Sequence, residues 1–239
     1  VHRLSVIAAK PVTVVVDEIG LDDIASLDRI GIDVQVSRAV IAGTLGVPDA
    51  FAECMRWDAE GLVPTIVQDQ AGQVLMLASS TRESLVRALG SGEGTYYDHA
   101  RGGVWRKGER TGHDQLITGC RPSCDRRAIL FTVKQAGVAC ETGRYSCFDD
   151  RQFSLPFLSE ITSTKKRGDP SSSFTARLIS DGTLLATRIR EKALAIGDAS
   201  GRDDALPAIA DLVYFLVVKA VATRIDWNDV VRELRGRQR

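Results

Sequence analysis

Cys124, Cys140 and Cys147 stand in C-D-R-R-A and A-C-E-T-G-R-Y-S-C-F, and their grouping is the strongest chemical signal in the chain. A single cysteine among apolar neighbours is ordinarily a small core residue. Three close together, two of them in turn-rich sequence, read instead as metal thiolates. Three soft ligands leave one position of a tetrahedral zinc open, and an open position is where water becomes a nucleophile. Cys120 lies at chelating spacing from Cys124 in C-R-P-S-C. As a fourth thiolate it would close the site and make it structural. Cys54 reads as a residue buried against its helix neighbours.

Just upstream, Trp105 to His113 reads W-R-K-G-E-R-T-G-H. Alone, such a segment is a charged hairpin with a glycine turn. Beside a metal, Lys107 and a neighbouring arginine could neutralise a phosphate, and the glycines would let backbone approach it closely. His113 and Glu109 could move protons near neutral pH. Glu141 directly follows a cysteine ligand candidate and could serve as a general base. The combination points to a hydrolase.

Four stretches of sequence must position these groups. Residues 1–58 form a βαβα appendage. In it Val12–Val16 is a β-branched run, Leu21–Ile30 has helical spacing, Ile32–Val36 is a second strand, and Pro48 opens a helix through Phe51, Cys54 and Trp57. Residues 59–150 alternate short β-prone runs with Gly, Asp and Ser, interrupted by one helix over Thr81–Leu89 with Thr81 as its N-cap. Residues 151–172, with Lys165, Lys166, Gly168, Asp169 and Pro170 and running into three successive serines, have the composition of a linker. Residues 173–239 are helical, with an apolar helix over Ala208–Thr223 and a last short one over Trp227–Arg235. The fold class is therefore α+β: a mostly antiparallel sheet domain, an N-terminal βαβα appendage and a C-terminal all-α domain.

The 239 residues carry 31 Lys+Arg and 31 Asp+Glu, so no global charge favours nucleic acid or an anionic membrane. No apolar run reads as approaching the roughly 20 residues that span a bilayer. The start, V-H-R-L-S-V-I, is too short and too quickly polar for a secretory signal. Five cysteines in such a chain argue for reduced thiols and a cytoplasmic location.

The segments G-L-V-P-T-I-V-Q-D, G-E-G-T-Y-Y-D-H-A-R, V-W-R-K-G-E-R-T-G-H and Q-A-G-V-A-C-E-T-G-R-Y-S-C-F resemble phosphoribosyl-AMP cyclohydrolase of histidine biosynthesis. The tail S-S-S-F-T-A-R-L followed by A-D-L-V-Y-F-L resembles the phosphoribosyl-ATP pyrophosphohydrolase domain often fused behind it. The stretch I-G-L-D-D-I-A-S-L-D-R-I-G-I-D-V-Q-V-S-R-A-V-I-A-G resembles the closing β/α units of the histidine-pathway sugar isomerase. Such a fragment cannot close a barrel, which takes eight units.

The resemblance implies a homodimer whose zinc is held by cysteines from both subunits, matched here by Cys124, Cys140 and Cys147. It implies water added to C6 of an adenine ring and cleavage of the N1–C6 bond. Trp105, Lys107, Gly108, Thr111, Gly112 and His113 fall on the family's substrate-binding and catalytic segment, and Arg101 closes the preceding motif. Cys120 has no counterpart among the ligands.

The departures concern charge. The family's D-C-D-x-D is Ser123-Cys124-Asp125-Arg126-Arg127 here, which keeps one of three aspartates assigned to magnesium. Two arginines there would repel a divalent cation, so magnesium at Asp125 is disfavoured, while Arg126 and Arg127 could meet a substrate phosphate directly. The family's A-C-H-T-G is A-C-E-T-G, with Glu141 replacing an imidazole. In the tail, the acidic cluster expected to hold magnesium is reduced to Glu191 and Asp211, with Lys192 adding the wrong charge. The expectation is a zinc hydrolase opening phosphoribosyl-AMP or a related purine nucleotide, with an inactive helical domain. Two alternatives are a diverged paralogue acting on another purine-like nucleotide and a non-catalytic, zinc-stabilised nucleotide-binding dimer.

Overall fold

A computed structural model describes residues 12–237, which divide into two compact units at the boundary between residues 151 and 152. The first is built on a six-stranded sheet of β3 (Leu62–Asp69), β4 (Val74–Thr81), β5 (Thr95–Asp98), β6 (Gly103–Arg106), β7 (Gln115–Pro122) and β8 (Ile129–Gln135), in the order β6-β5-β4-β3-β8-β7. Every neighbouring pair is antiparallel except β3 with β8. This is the mostly antiparallel α+β fold expected from the sequence.

Alternation along the strands decides which face is covered. Val63 and Val67 of β3 share one face with Phe131 and Val133 of β8, and all four are fully buried. On that core lies α4 (Arg82–Ser91), through Leu85 and Ala88. Thr81 caps it in a reciprocal arrangement: its hydroxyl accepts from Ser84 N–H, and the Ser84 hydroxyl accepts from Thr81 N–H. The buried hydroxyls of Thr65 and Ser80 satisfy each other at 2.7 Å. Ile66, Leu77 and Leu130 are cross-strand partners on the opposite face, where Leu77 and Ile66 are exposed.

The first strands, β1 (Val12–Val16) and β2 (Ile32–Val36), pair in parallel around α1 (Leu21–Arg29) and precede a short α2 (Arg38–Ile41). Helix α3 (Val47–Glu53) ends before Cys54 and Trp57, earlier than its apolar spacing suggested. The Trp57 indole turns back to donate to Ala52 O at 3.3 Å and occupies a carbonyl that a continuing helix would have used. Ala52 and Met55 nevertheless belong to the core beneath the large sheet.

The second unit begins inside the stretch expected to be a linker. Leu155–Thr164 is a helix, α5, with Ser154 accepting from Phe157 N–H and Pro156 in the first turn. Local capping outweighs the linker-like composition, which is confined to the residues after it. The helices α6 (Phe174–Ser180) and α7 (Gly182–Asp198) are divided at Asp181, whose side chain caps α7. Helix α8 (Arg202–Ala222) starts ahead of the expected Ala208 and tolerates Pro207 near its start, and α9 (Trp227–Gly236) follows. By length and composition α8 could cross a membrane, contrary to the sequence expectation. Phe215 and Val218 of α8, however, form this unit's core with Leu178 and Leu185, and Tyr214 bonds Thr175 at 2.8 Å.

Candidate active site

The end of β6 with the segment after it and the loop after β8 meet around a cavity of about 160 Å³. From the first come Trp105, Lys107, Gly108, Glu109, Thr111 and His113, and from the second Cys140 and Glu141, with Arg101 at the rim. Nine of the proposed site residues thus line one recess. Its floor is Lys107, only 8% exposed, whose Nζ donates to Ala139 O at 2.6 Å. Trp105 stands between two cations, with the Lys107 Nζ and the Arg101 guanidinium carbon each 5.6 Å from its ring centroid. Arg101 is also held by Asp98 at 3.1 Å and Glu109 at 3.4 Å. Glu109 therefore stands in an ion pair at the rim.

Glycines make these approaches possible. Gly108 has φ +87°, and a Cβ there would lie 2.3 Å from an Asp114 oxygen and 2.6 Å from its backbone N. Gly137 has φ +63°, and a Cβ would meet the His113 ring at 2.6 Å. His113 thus rests against bare backbone. Gly112 turns the chain, its N–H donating to Gly108 O at 2.8 Å, without lining the cavity.

Two of the cysteines are neighbours. The loop folds on itself through Ala139 N–H to Tyr145 O at 3.1 Å and Cys140 N–H to Arg144 O at 3.2 Å. Cys147 N–H then bonds Leu75 O at 2.8 Å, tying the loop to β4. Tyr145 OH donates to Asp69, which also receives the N–H groups of Ala71 and Gln73. The result brings Cys140 and Cys147 close enough for each to shift the other's titration. The Thr142 hydroxyl, 3.0 Å from Cys140 Sγ, and the Thr142 N–H hold the Cys140 thiol below its usual range, with Arg144 assisting. Partial desolvation of the thiol and the neighbouring Cys140 push Cys147 the other way, although the residue as a whole is exposed.

Cys124 lies elsewhere. It is exposed in the turn joining β7 to β8, beyond the opposite end of β8. At about 3.3 Å per residue the seven residues of β8 put on the order of 20 Å between that turn and the other two cysteines. Among the described residues no three His, Cys, Asp or Glu side chains converge as a metal cage. As a donor set, two adjacent sulfurs, one of them favoured as thiolate, suit a soft divalent ion that takes further ligands from elsewhere. Cys120 is no part of this set: it pairs with Phe131 on the core-facing side, and burial pushes its thiol up to about 12. Cys54 is half-buried, and burial raises its thiol too.

The remaining candidates belong to the Cys124 turn. The Asp125 carboxylate accepts from the Ser123 hydroxyl at 2.6 Å and from Arg127 N–H at 3.1 Å, which lowers its pKa. The Arg126 guanidinium makes a two-point pair with Asp28 of α1, its Nε 2.8 Å from Oδ2. It therefore faces the appendage and does not line the recess. Arg127 is exposed. In the helical unit Glu191 pairs with Arg188 and Lys192 with Asp211, each at 2.8 Å. Sequence reasoning missed Thr142 and Arg144, which tune Cys140, and Gly137, which seats His113. The hydroxyl two positions beyond a turn cysteine was the available signal.

Comparison with known proteins places these features. Residues 76–149 match the phosphoribosyl-AMP cyclohydrolase family and residues 156–238 the phosphoribosyl-ATP pyrophosphohydrolase family. The histidine biosynthesis bifunctional protein HisIE of Pyrococcus furiosus is 33% identical over 206 residues, covering 80% of this chain and 99% of that protein. That of Wolinella succinogenes is 35% identical over 207 residues, covering 76% and 90%. The histidine biosynthesis trifunctional protein of Saccharomyces bayanus is 32% identical over 210 residues, 87% of this chain, and the chain spans only 26% of it. With both halves matched in order and nearly the whole of a bifunctional relative covered, the chain belongs to the cyclohydrolase–pyrophosphohydrolase family of histidine biosynthesis.

Proposed function

We propose that this protein is a zinc-dependent cyclohydrolase that opens the adenine ring of phosphoribosyl-AMP at N1–C6. The observation that carries the reading is the recess in which Lys107, His113, Glu141 and Cys140 come together, with Cys147 close to Cys140. Zinc, when bound, supplies a Lewis acid that makes water nucleophilic near neutral pH. Cys140 and Cys147 of one subunit and Cys124 of a second would hold it. The separation of Cys124 along β8 and the exposed Ile66 and Leu77 on the open sheet face both favour a homodimer.

The chain's own groups divide the remaining work. Lys107 and Arg101, stacked beside Trp105, bind phosphate and steady the purine face. Thr111 and the Gly108 backbone line the same wall. Glu141, at the cavity edge next to Cys140, takes the proton from the attacking water. His113, seated against Gly137, returns a proton to N1 as the ring bond breaks. Arg127 offers an exposed cation to a substrate phosphate from the Cys124 turn. A magnesium role for Asp125 is not part of this reading, because its carboxylate is occupied by Ser123 and Arg127 N–H.

The helical unit is read as lacking triphosphate hydrolysis. The Lys192 ammonium on Asp211 sets a cation against a carboxylate that a magnesium cluster would need. A soluble, cytoplasmic enzyme without nucleic-acid or membrane partners completes the proposal. The test is loss of the substrate's amidine absorbance on incubating the zinc-loaded protein with phosphoribosyl-AMP. Turnover that disappears with chelator and in Cys140→Ser supports the reading. A zinc-replete protein without turnover, or an active Cys140→Ser, refutes it.

A further inference from the structure

The turn that carries Cys124 is tied to the N-terminal appendage rather than left to its own hydrogen bonds. Ser123 organises it internally, accepting through its hydroxyl from the N–H groups of Arg127 at 3.1 Å and Ala128 at 2.9 Å. Two further ties run outward from one residue. Arg126 O accepts from Arg56 N–H at 2.9 Å, and the Arg126 guanidinium pairs at two points with Asp28 of α1. That pair is largely shielded, with the side chains 31% and 20% exposed.

Arg126 also has φ +62°, a left-handed backbone state that a side-chain-bearing residue adopts at a cost. The turn's own bond from Arg126 N–H to Ser123 O at 3.0 Å and the side-chain pair with Asp28 both act on the residue in this state. The pair with Asp28 also has an electrostatic consequence. A free guanidinium two residues from Cys124 would oppose a divalent cation, whereas Asp28 draws it toward α1 and neutralises it.

We infer that Asp28 is a positioning residue for the metal ligand Cys124, so that α1 of the appendage braces one corner of the zinc site. The inference rests on the reading of Cys124 as a ligand. Support for a ligand from outside its immediate shell is worth about 10–100-fold in metal affinity in other metal proteins.

The test is cobalt titration of the purified full-length chain, followed by the thiolate-to-cobalt charge-transfer absorbance, with a thermal melt of each metal-free protein. Asp28→Ala is expected to weaken cobalt binding by about tenfold or more. The charge exchange Asp28→Arg with Arg126→Asp restores it, because aspartate tolerates the left-handed backbone at 126. Glu53→Gln, which removes the Glu53–Arg82 pair on a different helix, leaves affinity unchanged and controls for general loosening. Wild-type affinity in Asp28→Ala would overturn the inference, as would a lowered melting point with weakened binding that the exchange fails to rescue. A Cys124→Ser protein with wild-type cobalt affinity and wild-type charge-transfer intensity would instead overturn the ligand reading, and the brace with it.

Discussion

At the scale of single residues, the two neighbouring cysteines are chemically unequal. Thr142 donates to the Cys140 sulfur from its hydroxyl and its backbone, so the thiolate of Cys140 forms at lower pH than an ordinary cysteine. Cys147 is shifted upward by partial desolvation and by Cys140 itself. Alkylation follows the thiolate. In metal-free protein at about pH 8, near the ordinary thiol range, iodoacetamide is therefore expected to label Cys140 ahead of Cys147, with Cys120 slowest. Thr142→Val should move the Cys140 alkylation profile to higher pH, as peptide mass spectrometry would show. Equal rates for Cys140 and Cys147 would contradict the assignment. Glu141 carries the second residue-scale prediction: Glu141→Gln should lower kcat by about 10²-fold or more with little change in KM. An unaltered kcat would remove its role as base.

Elements place these residues, and glycine positions decide how closely. Gly137 sits at φ +63° against the His113 ring, so Gly137→Ala faces both backbone strain and a collision. The expected result is a loss of about 1–2 kcal/mol in stability. The accompanying fall in kcat should be larger than that loss explains, since His113 is displaced, and denaturant melts beside steady-state kinetics would separate the two effects. Much of the element structure was legible from local patterns. The β-branched run of β1, the Thr81 cap and the alternating strands of the sheet all follow from period and capping chemistry. Where the pattern misled, a tertiary contact or a cap had won. Trp57 folds back on Ala52 and ends α3 early, and Ser154 with Pro156 starts a helix in apparent linker sequence. The recess was foreshadowed because most of its residues fall in two short motifs. The Asp28–Arg126 pair was not, because nothing in either local sequence announces a partner so distant along the chain.

At the scale of the whole molecule, the proposal of a shared zinc site rests on the placement of the cysteines. The chain gathers Cys140 and Cys147 with Lys107, His113 and Glu141 at one end of β8 and leaves Cys124 beyond the other. A subunit that could build its own three-thiolate site would have no reason for this separation. One that completes its neighbour's site would, and the uncovered apolar face with Ile66 and Leu77 offers the contact. Subunit mixing tests this directly. Cys124→Ser and Cys140→Ser proteins are each expected to be inactive. Dissociated and reassociated together, they should regain about a quarter of wild-type activity and zinc, because half of randomly formed dimers are mixed and each has one of its two sites intact. A mixture shown to exchange subunits yet as inactive as its components would contradict a zinc site shared between subunits.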